Sequence, residues 1–232
     1  MQQQNQFQKI HQKTQSWKLK CVLGLTFSLL LLPSLTGTAH AYDRNSAIAY
    51  ADNWAFGRNI NYPNFGGEDC TNFVSQSLAA GGYKFVGAFG GATNDDHNWY
   101  MRYSPYRNIT RYTLSWSVAP DQYSFQIYHY PGGYQQAVVS LSSNASAYTS
   151  QFDAPAMIGG DVLFYDWGDG NGISHSAIQI PTGYSSEGSQ SYGDLLDAHA
   201  NNHYHASWNF RESNGAYWRT TTIFEMHIDN AN

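Results

Sequence analysis

Apolar residues recur at helical spacing between residues 70 and 80. They are Phe73, Val74 and Leu78. This spacing places them on one face of a helix. The glycine pair 81–82 follows, and glycine is typical of helix ends. The segment 61–67 contains asparagine, proline and glycine, which disfavour an earlier start. The pattern therefore predicts a helix that begins at or just before Cys70.

The second half of the chain contains runs that are typical of strands. Residues 159–167, GGDVLFYDW, form an apolar run after a glycine pair. A glycine-rich turn separates this run from residues 174–180, which alternate between polar and apolar side chains. Residues 194–200 and the segment 218–229 have a similar pattern. We therefore expect four strands in these positions.

The N-terminus has the pattern of a secretory signal peptide. Residues 1–20 carry lysines and no acidic residue, and the apolar run CVLGLTFSLLLLPSL follows at residues 21–35. This run has the length of a signal-peptide core and is too short for a spanning helix. Ala39 and Ala41 supply the small residues of a cleavage site. We expect residues 1–41 to be a signal peptide and residues 42–232 to be one secreted domain; a retained N-terminal anchor is the alternative.

Removal of residues 1–41 makes the remaining chain strongly acidic. All 17 acidic residues stay, but the lysines of the N-terminus are lost, which gives a net charge of −9 with neutral histidines. Nucleic acids and anionic membranes attract basic surfaces, so we expect neither as a partner of the mature protein. Aromatic residues make up 16% of the chain. Such a composition suits a surface that binds sugars or peptides, and equally a β-rich core.

Cys70 is the only cysteine that remains after cleavage, because Cys21 lies in the signal peptide. No intramolecular disulfide can then form, and an unpaired thiol outside the cell is open to oxidation. A buried cysteine that packs as a small apolar residue is one interpretation. A catalytic nucleophile is the other. The first turn of a helix favours the second, because its positive end stabilises a thiolate.

A thiolate nucleophile needs a base, and His175 has the best position for one. It lies at the start of the predicted strand 174–180, beside the glycine-rich turn. In the predicted strand 194–200, a period of two places Asp197 and His199 on one face. Either side chain could accept a hydrogen bond from His175 and orient its ring.

Two candidate metal sites compete with simpler interpretations. His199, His203 and His205, together with Asp197, carry the imidazole and carboxylate groups that bind zinc. Their spacing matches no strong zinc signature, and a polar loop explains it equally well. In the turn 166–172, glycines stand where calcium would need oxygen ligands, so a glycine-rich hairpin is the simpler interpretation. We therefore expect no metal and no cofactor.

Five stretches of the chain resemble the bacterial family named Putative amidase domain, a branch of the papain-like fold related to NlpC-type cell-wall peptidases and CHAP amidases. They are YDRNSAIAYADNWA, EDCTNFVSQSLAAGG, LSWSVAP, GGDVLFYDWGDGNGISHSAIQI and LLDAHANNHYHASW. Together they cover nearly everything from Tyr42 to Trp208. The combination of DCTNFVSQ with the later strand pair is far more specific than a single cysteine or histidine.

The resemblance implies an α+β, papain-like fold, in which N-terminal helices precede a C-terminal antiparallel β-sheet and the nucleophile helix packs on that sheet. It implies that Cys70 is the nucleophile and His175 the base. His199 matches the third polar residue, with Asp197 as the second choice. Asp69 is expected to fix the start of the helix. The backbone N–H of Cys70 is the expected oxyanion donor.

The function expected from the resemblance is that of a secreted cysteine amidase or peptidase. It would cleave an amide bond through a thioester acyl-enzyme, as a monomer, in a peptide or peptidoglycan-type substrate such as a stem or cross-bridge peptide. A catalytically silent wall-binding or carbohydrate-binding domain on the same fold is the alternative, and a zinc-dependent hydrolase is a third. The aromatic segment 87–156 is expected either to wall the cleft or to serve packing alone.

Overall fold

A computed structural model describes residues 41–87, 92–104, 109–130, 133–140, 157–188, 192–211 and 219–229. All of them belong to one compact unit, Ala39–Asn232. The predicted signal peptide lies outside the described residues except for Ala41, and much of the segment 87–156 is also outside them. None of the helices in the described part of the chain is long and apolar enough to cross a membrane.

Two helices of eleven residues form the N-terminal part. Helix α1 is Arg44–Trp54, and the side chain of Asp43 caps it by accepting hydrogen bonds from the backbone N–H groups of Asn45 and Ser46. Helix α2 is Cys70–Ala80. It begins at Cys70, which confirms the sequence prediction, and its apolar stripe is fully buried.

Short elements follow helix α2. Strands β1, Met101–Ser104, and β2, Ile109–Tyr112, form an antiparallel hairpin. Helices α3, Leu114–Ser117, and α4, Ala119–Ser124, come next, and the π-helical turn Phe125–His129 extends α4. Proline at the second position of α4 suits a helix start, since its missing N–H would have no helical partner there.

Six strands form the main sheet among the described residues. They are β3, Gly133–Ser140; β4, Val162–Asp166; β5, Ile173–Tyr184; β6, Tyr192–Ala198; β7, His203–Ser207; and β8, Thr222–Ile228. Their order is β3-β8-β4-β5-β6-β7, and every neighbouring pair is antiparallel. The four predicted strands correspond to β4, β5, β6 and β8. The chain is therefore α+β with an antiparallel sheet, as predicted from the sequence.

The two faces of the sheet bury two separate apolar clusters, because side chains alternate along each strand. Phe164 and Ile178 point toward helix α2 and join its buried stripe. Leu163 and Ala177 point the other way and pack with Trp208. Helix α2 therefore lies against the middle of the sheet, where β5 runs beneath its first turn.

Candidate active site

Cys70 is the first residue of helix α2 and is only 8% exposed. Its Sγ lies 3.6 Å from the Oγ1 of Thr71. Burial raises the pKa of the Cys70 thiol, and hydrogen bonds from Thr71 and from the backbone N–H of Ser176 offset only part of this rise. The direction is opposite to the one expected from the helix terminus alone, because the loss of hydration outweighs the helix dipole. The thiol is therefore protonated at neutral pH in this arrangement.

Strand β5 contacts the first turn of helix α2 through Ser176. The Ser176 hydroxyl donates a hydrogen bond to the Oγ1 of Thr71 at 3.1 Å. The peptide N–H of Ser176 also points at the Cys70 thiol. Because this peptide joins Ser176 to His175, the backbone of the predicted base lies beside the predicted nucleophile.

The ring of His175 lies among aromatic side chains. Its centroid is 5.7 Å from that of Tyr165 and 5.5 Å from those of Trp167 and Phe210. Burial lowers the pKa of His175 to about 4, so the imidazole is neutral at pH 7. Its Nε2 has no hydrogen-bond partner within the described residues. In that same part of the chain, no hydrogen bond joins the ring to the Cys70 thiol.

Asp69 is fully buried directly before the nucleophile position and binds four groups. Its Oδ1 accepts hydrogen bonds from the Phe65 backbone N–H and the Asn72 side chain, at 3.1 and 2.8 Å. Its Oδ2 accepts from the Nδ1 of His199 at 2.8 Å and pairs with the Nε of Arg58 at 2.9 Å. Burial would raise the pKa of Asp69, but these hydrogen bonds outweigh it and the pKa is lowered. An ionised Asp69 thus fastens the start of helix α2.

His199 directly follows strand β6 and packs against helix α2. Its ring stacks on Phe73 with 3.9 Å between centroids. Its Nδ1 faces Asp69, and its Nε2 lies 2.8 Å from the carbonyl oxygen of Trp54. Both ring nitrogens are therefore engaged away from His175. In the described residues, His199 orients the segment before Cys70 and makes no hydrogen bond to the predicted base.

Asp197 lies in a separate cluster. Its Oδ1 accepts a hydrogen bond from the backbone N–H of His205 at 2.7 Å, and the carboxylate of Asp52 is its neighbour. Burial, with the nearby Asp52 charge as a smaller cause, raises the pKa of Asp197 to about 8. The structure thus groups Cys70 with Asp69 and His199, places the backbone of His175 beside them, and leaves Asp197 apart.

The three histidines of the candidate zinc cluster have different partners. His203 pairs with Glu187 at 3.0 Å, and His205 pairs with Asp52 at 2.8 Å, while His199 pairs with Asp69. The three rings therefore do not converge on one ion.

In the turn 166–172, the carboxylates bind their own backbone. Asp166 accepts from the N–H of Gly168 and Asp169 from that of Asn171. This is the pattern of a glycine-rich hairpin turn.

Several residues of the site carried no signal in the sequence analysis. Arg58 and Ser176 reach the site only through the folding of distant segments. The Asn72 amide does have a local signal, since it follows Cys70 within the DCTN motif. Its Oδ1 accepts a hydrogen bond from the Nε1 of Trp116 at 2.8 Å, which links the LSWSVAP stretch to the same helix.

An open pocket of about 550 Å³ adjoins this network. It lies between the loop that precedes helix α2 and the turn after His199. The residues that line it are Phe56, Gly57, Arg58, Asn64, Gly66, Ala200, Asn201 and Asn202. The pocket is polar, and Arg58 is the charged residue in its lining.

Comparisons with known proteins identify a family and one relative. The family model described as "Putative amidase domain" matches residues 41–223. The uncharacterized protein YhbB of Bacillus subtilis is 32% identical over 145 residues, which are 62% of this chain and 39% of that relative. No solved structure matches the chain. A domain of this kind indicates the hydrolysis of an amide bond. Because the match covers well over half of the chain, the protein belongs to the Putative amidase domain family.

Proposed function

We propose that the protein is a secreted, cysteine-dependent amide hydrolase in which Cys70 attacks the substrate carbonyl and His175 transfers the proton. One observation carries this proposal. The sole cysteine outside the N-terminal segment is the first residue of a helix, and it contacts the peptide next to His175. A nucleophile at a helix start, beside an antiparallel strand that carries a histidine, is also the layout of papain-like enzymes. The likeness supports the proposal.

The proposed reaction begins from a neutral thiol and a neutral imidazole. The His175 ring packs with Tyr165 and Trp167, on the face of β5 opposite to Ser176, so the proposal requires that it leaves this position to reach Sγ. It then takes the thiol proton as sulfur bonds to the carbonyl carbon. The backbone N–H of Cys70 has no helical partner, and it stabilises the oxyanion. The C–N bond then breaks, and the leaving amine takes the proton from His175. Water, deprotonated by His175, cleaves the thioester, and the proton returns to sulfur.

The proposed substrate is a peptide of the peptidoglycan stem or cross-bridge. The signal-peptide pattern supports an extracellular site of action. The pocket beside Asp69 supports a polar substrate, since amide side chains and Arg58 line it. A guanidinium in such a pocket suits the free carboxylates of stem peptides.

The test is amine release from muropeptides and synthetic stem peptides. Cys70→Ser and His175→Ala should each lower turnover by roughly 100-fold or more, since each removes a group that reacts. His97→Gln is the control, because this exposed residue lies outside the site, and its turnover should equal that of the wild type. Unchanged turnover in either site variant, with an unchanged circular dichroism spectrum, would refute the mechanism.

A second candidate function is a binding domain without turnover. The raised pKa of Cys70 and the missing hydrogen bond to His175 favour it. The rate of Cys70 alkylation by iodoacetamide, measured against pH with and without bound substrate fragments, separates the two candidates. Catalysis predicts that a bound substrate slows the alkylation of Cys70, because the substrate occupies Sγ, and that amine is released. A pure binding domain predicts retention of wall fragments, no amine release, and the same retention in Cys70→Ser.

A further inference from the structure

A cluster of three side chains of the types that bind metal ions joins three elements of the fold. Asp52 comes from helix α1, Asp197 from strand β6 and His205 from strand β7. One potential ligand atom of each lies within 4.8 Å of the other two. Asp197 and His205 are eight residues apart in the sequence, whereas Asp52 lies 153 residues before His205, so the fold brings Asp52 to the other two.

Asp197 is held in one orientation beside the Asp52 carboxyl. The side chain is fully buried. Its Oδ1 accepts a hydrogen bond from the backbone N–H of His205, which fixes the carboxylate plane. Within the described residues its Oδ2 receives no hydrogen bond from an N–H or hydroxyl donor, and the Asp52 carboxyl lies close enough to Asp197 to share a hydrogen bond with it. Two carboxyl groups this close, one of them buried, are stabilised by a cation that both can bind.

Asp52 and His205 complete the cluster from the solvent side. The Nε2 of His205 lies 2.8 Å from the Oδ1 of Asp52. Both side chains are partly exposed, at 37% for Asp52 and 26% for His205. An ion can therefore enter from solvent, and water can complete its coordination.

We propose that Asp52, Asp197 and His205 form a binding site for a divalent zinc ion. Two carboxylates neutralise its charge, and one imidazole adds the nitrogen ligand that zinc prefers over calcium or magnesium. Ligand atoms in tetrahedral zinc sites lie about 3.4 Å apart, which small side-chain movements reach from separations within 4.8 Å.

The ion links helix α1 to strand β6 and to the edge strand β7 of the sheet. This role is independent of the proposed hydrolase function, since neither Asp52 nor His205 contacts Cys70 or His175 through any described hydrogen bond. A second cluster, Asp96 with His97 and His129, also gathers ligand-type atoms. There Asp96 already accepts a hydrogen bond from Ser124, and no buried atom lacks a partner.

The test is calorimetric titration of the chelator-dialysed protein with zinc chloride. We expect one zinc ion per chain. Asp52→Asn and His205→Gln should each weaken zinc binding by roughly 100-fold, because each removes a ligand. Zinc should also raise the melting temperature of the wild type, but not that of the two variants.

Two control variants locate the ion. His203→Gln removes a neighbouring histidine that pairs with Glu187, and His97→Gln alters the second cluster. Both should bind zinc as the wild type does. The proposal is overturned if the wild type binds no zinc, if Asp52→Asn and His205→Gln bind it unchanged, or if His97→Gln abolishes binding. Tighter binding of manganese or calcium than of zinc would overturn the choice of metal.

Discussion

Asp69 is the residue that connects the nucleophile to the rest of the fold. The two ring nitrogens of His199 lie within hydrogen-bonding distance of Asp69 and of the Trp54 carbonyl oxygen. The Asp69 carboxylate therefore lies between the His199 ring and the Arg58 guanidinium. It does not cap helix α2 with its side chain. It fixes the helix by tying the preceding turn and the edge of the sheet to it.

The first residue-scale prediction concerns the charge of Asp69. Asp69→Asn should lower the free energy of unfolding by about 3–5 kcal/mol, because it removes the buried anion that pairs with Arg58 and disrupts the hydrogen bonds with Phe65, Asn72 and His199. Urea unfolding at pH 7 measures this change. Asp169→Asn is the matched control, since that carboxylate lies in an exposed turn, and it should stay within about 0.5 kcal/mol of the wild type. Equal losses in the two variants would show that the network carries no special stability.

The sequence identifies candidate residues that stand beside a recognisable local pattern. It misses residues whose contacts in the site join segments far apart in the chain. Cys70 and Asp69 stand out because they precede an apolar helical stripe. Ser176 does not, because its contact with Thr71 depends on the register of β5 against β4. That register shifts between Tyr165 and Asp166, beside the strand start that carries His175. His175 still pairs regularly with Tyr165, so period two places its ring on the face of β5 opposite to Ser176.

At the scale of elements, the sequence predicted the interior strands and missed the edges of the sheet. Strands β4, β5 and β8 are mostly buried and show clear apolar patterns. Strands β3 and β7 are the two outermost strands in the order. The sequence of β7, HYHAS, has little apolar alternation because most of it is only partly buried. The order itself, with β8 between β3 and β4, follows from long-range pairing that no local pattern encodes.

The element-scale prediction concerns the contact between helices α1 and α2. The backbone N–H of Asp43 donates to the carbonyl oxygen of Gly81 at 2.7 Å. A Cβ at Gly81 would lie 2.5 Å from the ring of Tyr42 and 2.9 Å from the carbonyl oxygen of Asp43. Gly81→Ala should therefore lower the free energy of unfolding by about 1–3 kcal/mol. Thermal and urea unfolding measure this loss.

Gly67→Ala is the control for that prediction. A Cβ at Gly67 meets no atom within 4 Å. Alanine there should leave stability unchanged or raise it slightly, because it restricts the unfolded chain. A Gly81→Ala protein as stable as Gly67→Ala would mean that the two helices separate without cost.

At the scale of the whole molecule, two buried groups give stability opposite dependences on pH. Burial lowers the pKa of His175 from 6.5 to about 4. Between these two pH values the unfolded chain binds a proton at this residue and the folded chain does not. The free energy of unfolding therefore falls as the pH drops through this range. Burial raises the pKa of Glu225 from 4.5 to about 8. The folded chain then keeps a proton that the unfolded chain loses, and stability falls as pH rises through that range. The two effects oppose each other between about pH 4.5 and 6.5.

The last prediction isolates Glu225, which is fully buried on β8 and has no hydrogen-bond partner for either carboxylate oxygen in the described residues. Between pH 5 and pH 9, the wild type should lose roughly 3–5 kcal/mol of unfolding free energy relative to Glu225→Gln, because the folded wild type must ionise a buried carboxyl that glutamine lacks. Urea unfolding at each pH measures the difference. Glu68→Gln changes an exposed carboxylate, and its free energy of unfolding should change with pH as that of the wild type does. If Glu225→Gln loses the same unfolding free energy as the wild type over this pH range, Glu225 ionises without cost in the folded protein.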